Sequence, residues 1–145
     1  MNSFIFTIKN KEMTSTVQYN GNLRTTCLHI QSNNEIITDA PTDNNGKGEA
    51  FSPTDLVATA LASCMLTIMG IKANQLSINL EGTTASIEKI MAANPRRINK
   101  IKVVIDFTKN DWPDKTRNLL QKSALTCPVA KSIHPDIEQD VQFNF

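Results

Sequence analysis

Short runs of apolar and β-branched residues alternate with clusters of turn formers over the first forty residues of the chain. The runs fall at residues 4–7, 14–19, 23–30 and 35–38, and Asn20-Gly21-Asn22 and Ser32-Asn33-Asn34 separate the later ones. Strand-like runs joined by Asn- and Gly-rich turns make hairpins, so this region predicts a β-meander. Residues 41–48 then read Pro-Thr-Asp-Asn-Asn-Gly-Lys-Gly and have no periodicity, which predicts a mobile loop.

The pattern changes at Ser52. Ser52 as N-cap, Pro53 at the first helical position and Asp55 three residues after the cap form a helix start, and a helix is expected over residues 53–73. Residues 56–71 are apolar or small on nearly every face, the mark of a helix surrounded by protein. The run is shorter than the roughly 20 residues of a membrane span and is flanked by Asp55 and Lys72, so it reads as a core helix. Its small residues Ala58, Thr59, Ala60, Ala62 and Ser63 leave room for a second helix to approach closely.

Residues 76–90 and 98–107 are β-like again and predict a second hairpin, with the turn at residues 92–97. Asp111-Trp112-Pro113 opens a second helix, in which Leu119, Leu120, Ala124 and Leu125 keep helical spacing until Cys127-Pro128 interrupts it. Residues 128–133 continue as a kinked or separate helical turn. Val141, Phe143 and Phe145 alternate with polar residues, giving a half-buried last strand.

Composition narrows the picture. A chain of 145 residues, 40% hydrophobic and 20% charged, suits one globular domain spanning residues 1–145. Its net charge is only +1, and the densest basic stretch, Arg96, Arg97, Lys100 and Lys102, straddles Pro95 and reads as a solvated turn. Nucleic acid and anionic membrane are therefore not expected partners. Residues 1–12 lack the basic-then-apolar order of a secretion signal, so a cytoplasmic location is expected. Three cysteines in such a chain fit reduced thiols better than a disulfide framework.

The candidate chemistry lies in those thiols. Cys64 sits mid-helix among apolar neighbours and, taken alone, reads as a small hydrophobe, the usual role of a free Cys in an apolar helix. Cys127 precedes a proline suited to the first position of a new helical turn. As N-cap of that turn its thiolate would be favoured by free N–H groups and the helix dipole. Equally, Cys127-Pro128 could simply end a helix. Cys27 reads as structural. A zinc site from Cys27, His29, Cys64 and Cys127 is conceivable, but no C-x-x-C pair supports it, and His134 adds no spacing of that kind.

Two segments carry a resemblance. Ser52-Pro53-Thr54-Asp55-Leu56-Val57-Ala58-Thr59-Ala60-Leu61-Ala62-Ser63-Cys64 and Ser123-Ala124-Leu125-Thr126-Cys127-Pro128-Val129-Ala130-Lys131-Ser132 resemble the two cysteine motifs of the OsmC/Ohr family, as does the order of strands and helices. The resemblance implies an α+β fold with an N-terminal β-meander, two central cysteine-bearing helices, further antiparallel strands and an intertwined homodimer. It also implies a thiol-dependent peroxidase without a cofactor or metal. In that chemistry Cys64 attacks a small hydroperoxide and becomes a sulfenic acid, Cys127 resolves it as a disulfide, and a dithiol reductant, such as a lipoylated protein, restores the thiols.

A thiol in apolar surroundings favours its neutral form, so the nucleophile needs a cation. The resemblance assigns that place to Arg24, the sole arginine before residue 96. The family's peroxidases carry a glutamate directly after the helix-opening proline, where this chain has Thr54. Glu49, in the Gly-rich loop, is the preferred replacement, with Asp55 the alternative. A second functional class fits the missing glutamate: a non-catalytic redox sensor or a binder of a small lipophilic ligand.

Overall fold

A computed structural model describes residues 13–145, so the strand expected at residues 4–7 lies outside the described residues. The chain divides into two compact units, Met1–Thr54 and Asp55–Phe145.

In the first unit, β1 (Ser15–Gly21), β2 (Arg24–His29) and β3 (Glu35–Asp39) form an antiparallel meander in that order. Asn22 and Leu23 both take positive φ, 54° and 61°, at the centre of the β1–β2 turn. That is the hairpin turn whose twist matches the strands it joins. Gly21 faces Arg24 across it, the register shifts by one residue between Gly21 and Tyr19, and the ladder then runs as Tyr19 with Thr25 and Val17 with Cys27. On the other side of β2, Arg24 lies opposite Asp39 and Leu28 opposite Glu35.

The segment after β3, expected to be mobile, is closed by its own hydrogen bonds. The Gly46 and Asn44 N–H groups donate to the Pro41 carbonyl, Gly48 N–H donates to Ala40, and Asp39 N–H donates to Phe51. A short 3₁₀ turn spans Thr42–Asn44. Any side chain at Gly46 would overlap the Ala40 backbone, so glycine is required by the closeness of the two strands of chain.

The second unit contains all but the first two residues of α1 (Pro53–Gln75), followed by β4 (Thr84–Ala92), β5 (Arg97–Asp106), α2 (Asp114–Leu125), α3 (Pro128–Ser132) and β6 (Glu138–Asn144). Helix α1 is long and apolar enough to cross a membrane by length and composition alone. Its buried side chains are Ala58, Leu61, Ala62, Met65, Met69 and Ala73, one stripe at helical spacing. They share a core with Ile101, Val103 and Ile105 of β5, Leu120 and Ala124 of α2, and Cys127. The expectation of a helix enclosed on every face is corrected in this chain, because Val57 and Ile71 on the opposite side are exposed.

Helix α1 ends where Ser77 takes left-handed backbone, φ 55°, and the Ile78 N–H returns to the Ala73 carbonyl. An Asn79 side chain accepting the Glu81 N–H at 2.8 Å then forms a local turn, so the strand expected from residue 76 starts only at Thr84. β4 and β5 pair antiparallel, as the hairpin reading requires, whereas β6 joins β5 in parallel. Alternation predicts which face a strand buries but not its direction. Crossing back over α2 and α3 makes β6 the parallel neighbour.

Candidate active site

Two clusters hold the residues singled out by sequence, one in each unit. In the second, Cys64 lies on α1 on the same side as Val57 and Ile71, one heptad from each, and is half-buried, while Cys127 is fully buried between α2 and α3. Both thiols are free. They are near enough to influence each other, since Cys64 is among the groups that push the Cys127 thiol up.

Cys127 is the N-cap of α3, with Pro128 at the first helical position. Its sulfur accepts the Ala130 N–H at 3.4 Å, and its carbonyl accepts the Lys131 N–H at 3.2 Å. Helix α3 is tied down from the other side by Gln139 of β6, whose amide donates to the Ala130 carbonyl at 3.0 Å. The capping geometry expected from the proline is thus present, and α3 is a separate helix rather than a continuation of α2. Its expected consequence, a more acidic thiol, is not. Burial pushes the Cys127 thiol up, and the neighbouring Cys64 works the same way. The N–H groups of Ala130 and Val129 oppose the rise without cancelling it. A helix of five residues has too small a dipole to offset complete burial.

In the first unit, Arg24 opens β2 and makes a forked pair with Asp39 at the end of β3. Its Nε donates to Oδ1 at 2.7 Å and an Nη to Oδ2 at 2.8 Å. The same Nη donates to the Glu49 carboxylate at 2.9 Å. The Glu49 backbone N–H in turn donates to Asp39 Oδ2 at 3.1 Å. The Asp39 bond and then the Glu49 bond push the Arg24 guanidinium up, and Arg24 holds the Asp39 carboxyl below the usual range despite burial.

Among the acids weighed from sequence, Glu49 therefore meets Arg24, whereas Asp55 in the first turn of α1 pairs with Lys89 of β4 at 2.8 Å. Thr54 exchanges a hydrogen bond with Ser52 at 3.2 Å. Asp39 was not singled out by sequence, although the two hairpins contained the signal. Pairing Leu28 with Glu35 places Arg24 opposite Asp39. Cys27 sits in β2 near the Thr25 hydroxyl at 3.9 Å, and His29 contacts Ser32 at 2.7 Å. No group of three or more His, Cys, Asp or Glu suited to a metal ion occurs among the described residues.

A paired-thiol α+β protein with an arginine–carboxylate cluster is the class that this fold and these side chains define. The family model of the OsmC-like protein matches residues 46–142, and the chain belongs to that family. It is similar to a Psychrobacter arcticus protein provisionally described as an osmotic stress induced and detoxification response protein. The two are 61% identical over 91% of this chain and 96% of that one, with a TM-score of 0.88.

More distant folds include an organic hydroperoxide resistance protein OsmC from Legionella pneumophila, 18% identical over 92% of this chain and 98% of that one, TM-score 0.72. The organic hydroperoxide resistance protein OhrB of Bacillus subtilis is 14% identical over 91% and 98%, TM-score 0.62. No curated protein matches the chain.

Proposed function

We propose that the protein is a thiol-dependent peroxidase that reduces organic hydroperoxides or hydrogen peroxide. The observation that carries this reading is two free thiols close enough for one to act on the other: Cys64 on α1 helps push up the buried Cys127 thiol at the start of α3. Its OsmC-like membership and the names of similarly folded proteins from Legionella pneumophila and Bacillus subtilis support the substrate class.

In the proposed cycle the Cys64 thiolate attacks one peroxide oxygen. An S–O bond forms as the O–O bond breaks, and the alcohol leaves with a proton. Cys127, protonated while at rest, loses its proton and attacks the Cys64 sulfenic acid, releasing water and forming the disulfide. A dithiol, such as that of a lipoylated protein, supplies the two electrons that reopen it. Arg24 and Glu49, joined in the first unit, are the charged residues proposed to take part, with Glu49 the accessible acid. The exposed apolar side of α1, with Val57 and Ile71, supports a homodimer as the working form.

Stopped-flow mixing with cumene hydroperoxide, followed by mass spectrometry of the peptides, tests the cycle. The expected product is one Cys64–Cys127 disulfide per chain, with turnover abolished in Cys64→Ser and sulfinic acid accumulating on Cys64 in Cys127→Ser. Peroxide that leaves both thiols reduced overturns the reading and favours a non-catalytic ligand-binding role.

A further inference from the structure

We infer that Gln139 is a positioning residue for the thiol pair: from β6 it holds the short helix α3 so that Cys127 stays presented to Cys64. The inference deepens the proposed function, because it rests on the reading of Cys127 as the resolving thiol.

Gln139 occupies a place made for an apolar side chain. Ile137, Gln139, Val141, Phe143 and Phe145 form the inward row of the last strand, and the other four pack against the core. In the parallel ladder Gln139 lies opposite Ile101, as Val141 lies opposite Val103 and Phe143 opposite Ile105, three fully buried residues. An amide in such a row loses water and is unfavourable unless it finds a partner. Its partner is the Ala130 carbonyl of α3, 3.0 Å from Nε2.

Through Ala130 that bond reaches the thiol. The Ala130 N–H donates to the Cys127 sulfur at 3.4 Å, so the two backbone groups of one residue are held from different sides, one by the N-cap and one by β6. Further bonds of this turn are internal: Lys131 N–H to the Cys127 carbonyl at 3.2 Å, Ile133 N–H to Val129 at 3.1 Å, and the Ser132 hydroxyl to Pro128 at 2.7 Å. Helices shorter than about 12 residues are marginal on their own in water. With five residues, α3 depends on what it is tied to.

The tie matters chemically once Cys64 is a sulfenic acid, because two reactions then compete for it. Cys127 attacks the sulfur, forming the disulfide and releasing water, or a second hydroperoxide transfers an oxygen, giving sulfinic acid and an alcohol. A Cys127 thiol that strays from its place loses the first reaction to the second.

Gln139→Met tests this, since it keeps the length, suits the apolar row and cannot donate. Two quantities are measured: amide hydrogen exchange at Ala130, Lys131 and Ile133 in the reduced protein, by NMR, and the ratio of Cys64–Cys127 disulfide to Cys64 sulfinic acid under excess cumene hydroperoxide, by peptide mass spectrometry. Both products arise from the same sulfenic acid, so the ratio is blind to damage that only slows the first step. Exchange is expected to quicken about tenfold, and the ratio to fall about tenfold. Unchanged exchange overturns the hold on α3, and faster exchange with an equal or higher ratio overturns its role in the chemistry. Gln139→Glu, ionised at neutral pH and unable to donate, is expected to repeat both effects and decides the matter should Gln139→Met not fold. If the unaltered protein forms no disulfide, the resolving role of Cys127 falls by itself, and the exchange rates alone decide whether Gln139 holds α3.

Discussion

At Cys127 two local influences oppose each other, and the winner has a measurable signature. N-cap N–H groups favour the thiolate while burial and the neighbouring Cys64 favour the thiol, and the net direction is upward. A thiol held above its unfolded value contributes stability that is whole below the ordinary thiol range and is lost as pH rises through the folded value. Asp39 is the mirror case. Its carboxyl is held down by Arg24, so its contribution is present above the ordinary carboxylate range and is lost as pH falls through the folded value. Melting temperatures followed across pH should therefore show Cys127→Ser without the alkaline part of the decline. The deficit of Asp39→Asn should be largest near neutrality and shrink in acid. A deficit of the same size at both ends would contradict the assigned direction. Cys64, Cys127, Arg24 and Glu49 were legible because residue type and motif spacing suffice to mark them. Asp39 was not, because an aspartate at the end of a strand acquires meaning only once the register sets it against Arg24.

Helix α1 shows what periodicity reveals and what it hides. Its start at Pro53 and its apolar character are plain in the sequence, but a helix apolar on every side cannot announce which side faces its own core. Packing decides that: Leu61, Met65 and Met69 are buried against β5 and α2, and Val57 is not. Leu61→Ala should accordingly cost about 2–5 kcal/mol of unfolding free energy in urea titrations, the range for a large-to-small change in a sealed core. Val57→Ala in the isolated protomer should cost less than about 1 kcal/mol, since little apolar area returns to water. Equal losses would mean that the stripe is misassigned. The late start of β4 was hidden for a related reason. Residues 76–83 look apolar enough for a strand, yet Ser77 and Gly82, φ 55° and 86°, together with the Asn79 side chain, turn the chain locally.

On the scale of the whole molecule, the side of α1 left uncovered is the feature that asks for a partner. Val57 and Ile71 are four turns apart on one side of the helix and are 39% and 52% exposed. Light scattering should therefore find a dimer, and the double substitution of Val57→Lys with Ile71→Glu should convert it to a monomer with unchanged helical content. A monomer in the unaltered protein would remove the dimer from the proposed function. A different consequence follows from β6, the final strand, lying alongside β5 in parallel from Lys100–Glu138 to Asp106–Asn144. Until the ribosome has released that segment, the nascent chain must carry β5 with one edge bare, and β5 is the strand richest in Ile and Val. Premature termination before Glu138 would leave a ready template for intermolecular strand pairing, so such fragments should accumulate as aggregates rather than as soluble, merely inactive protein.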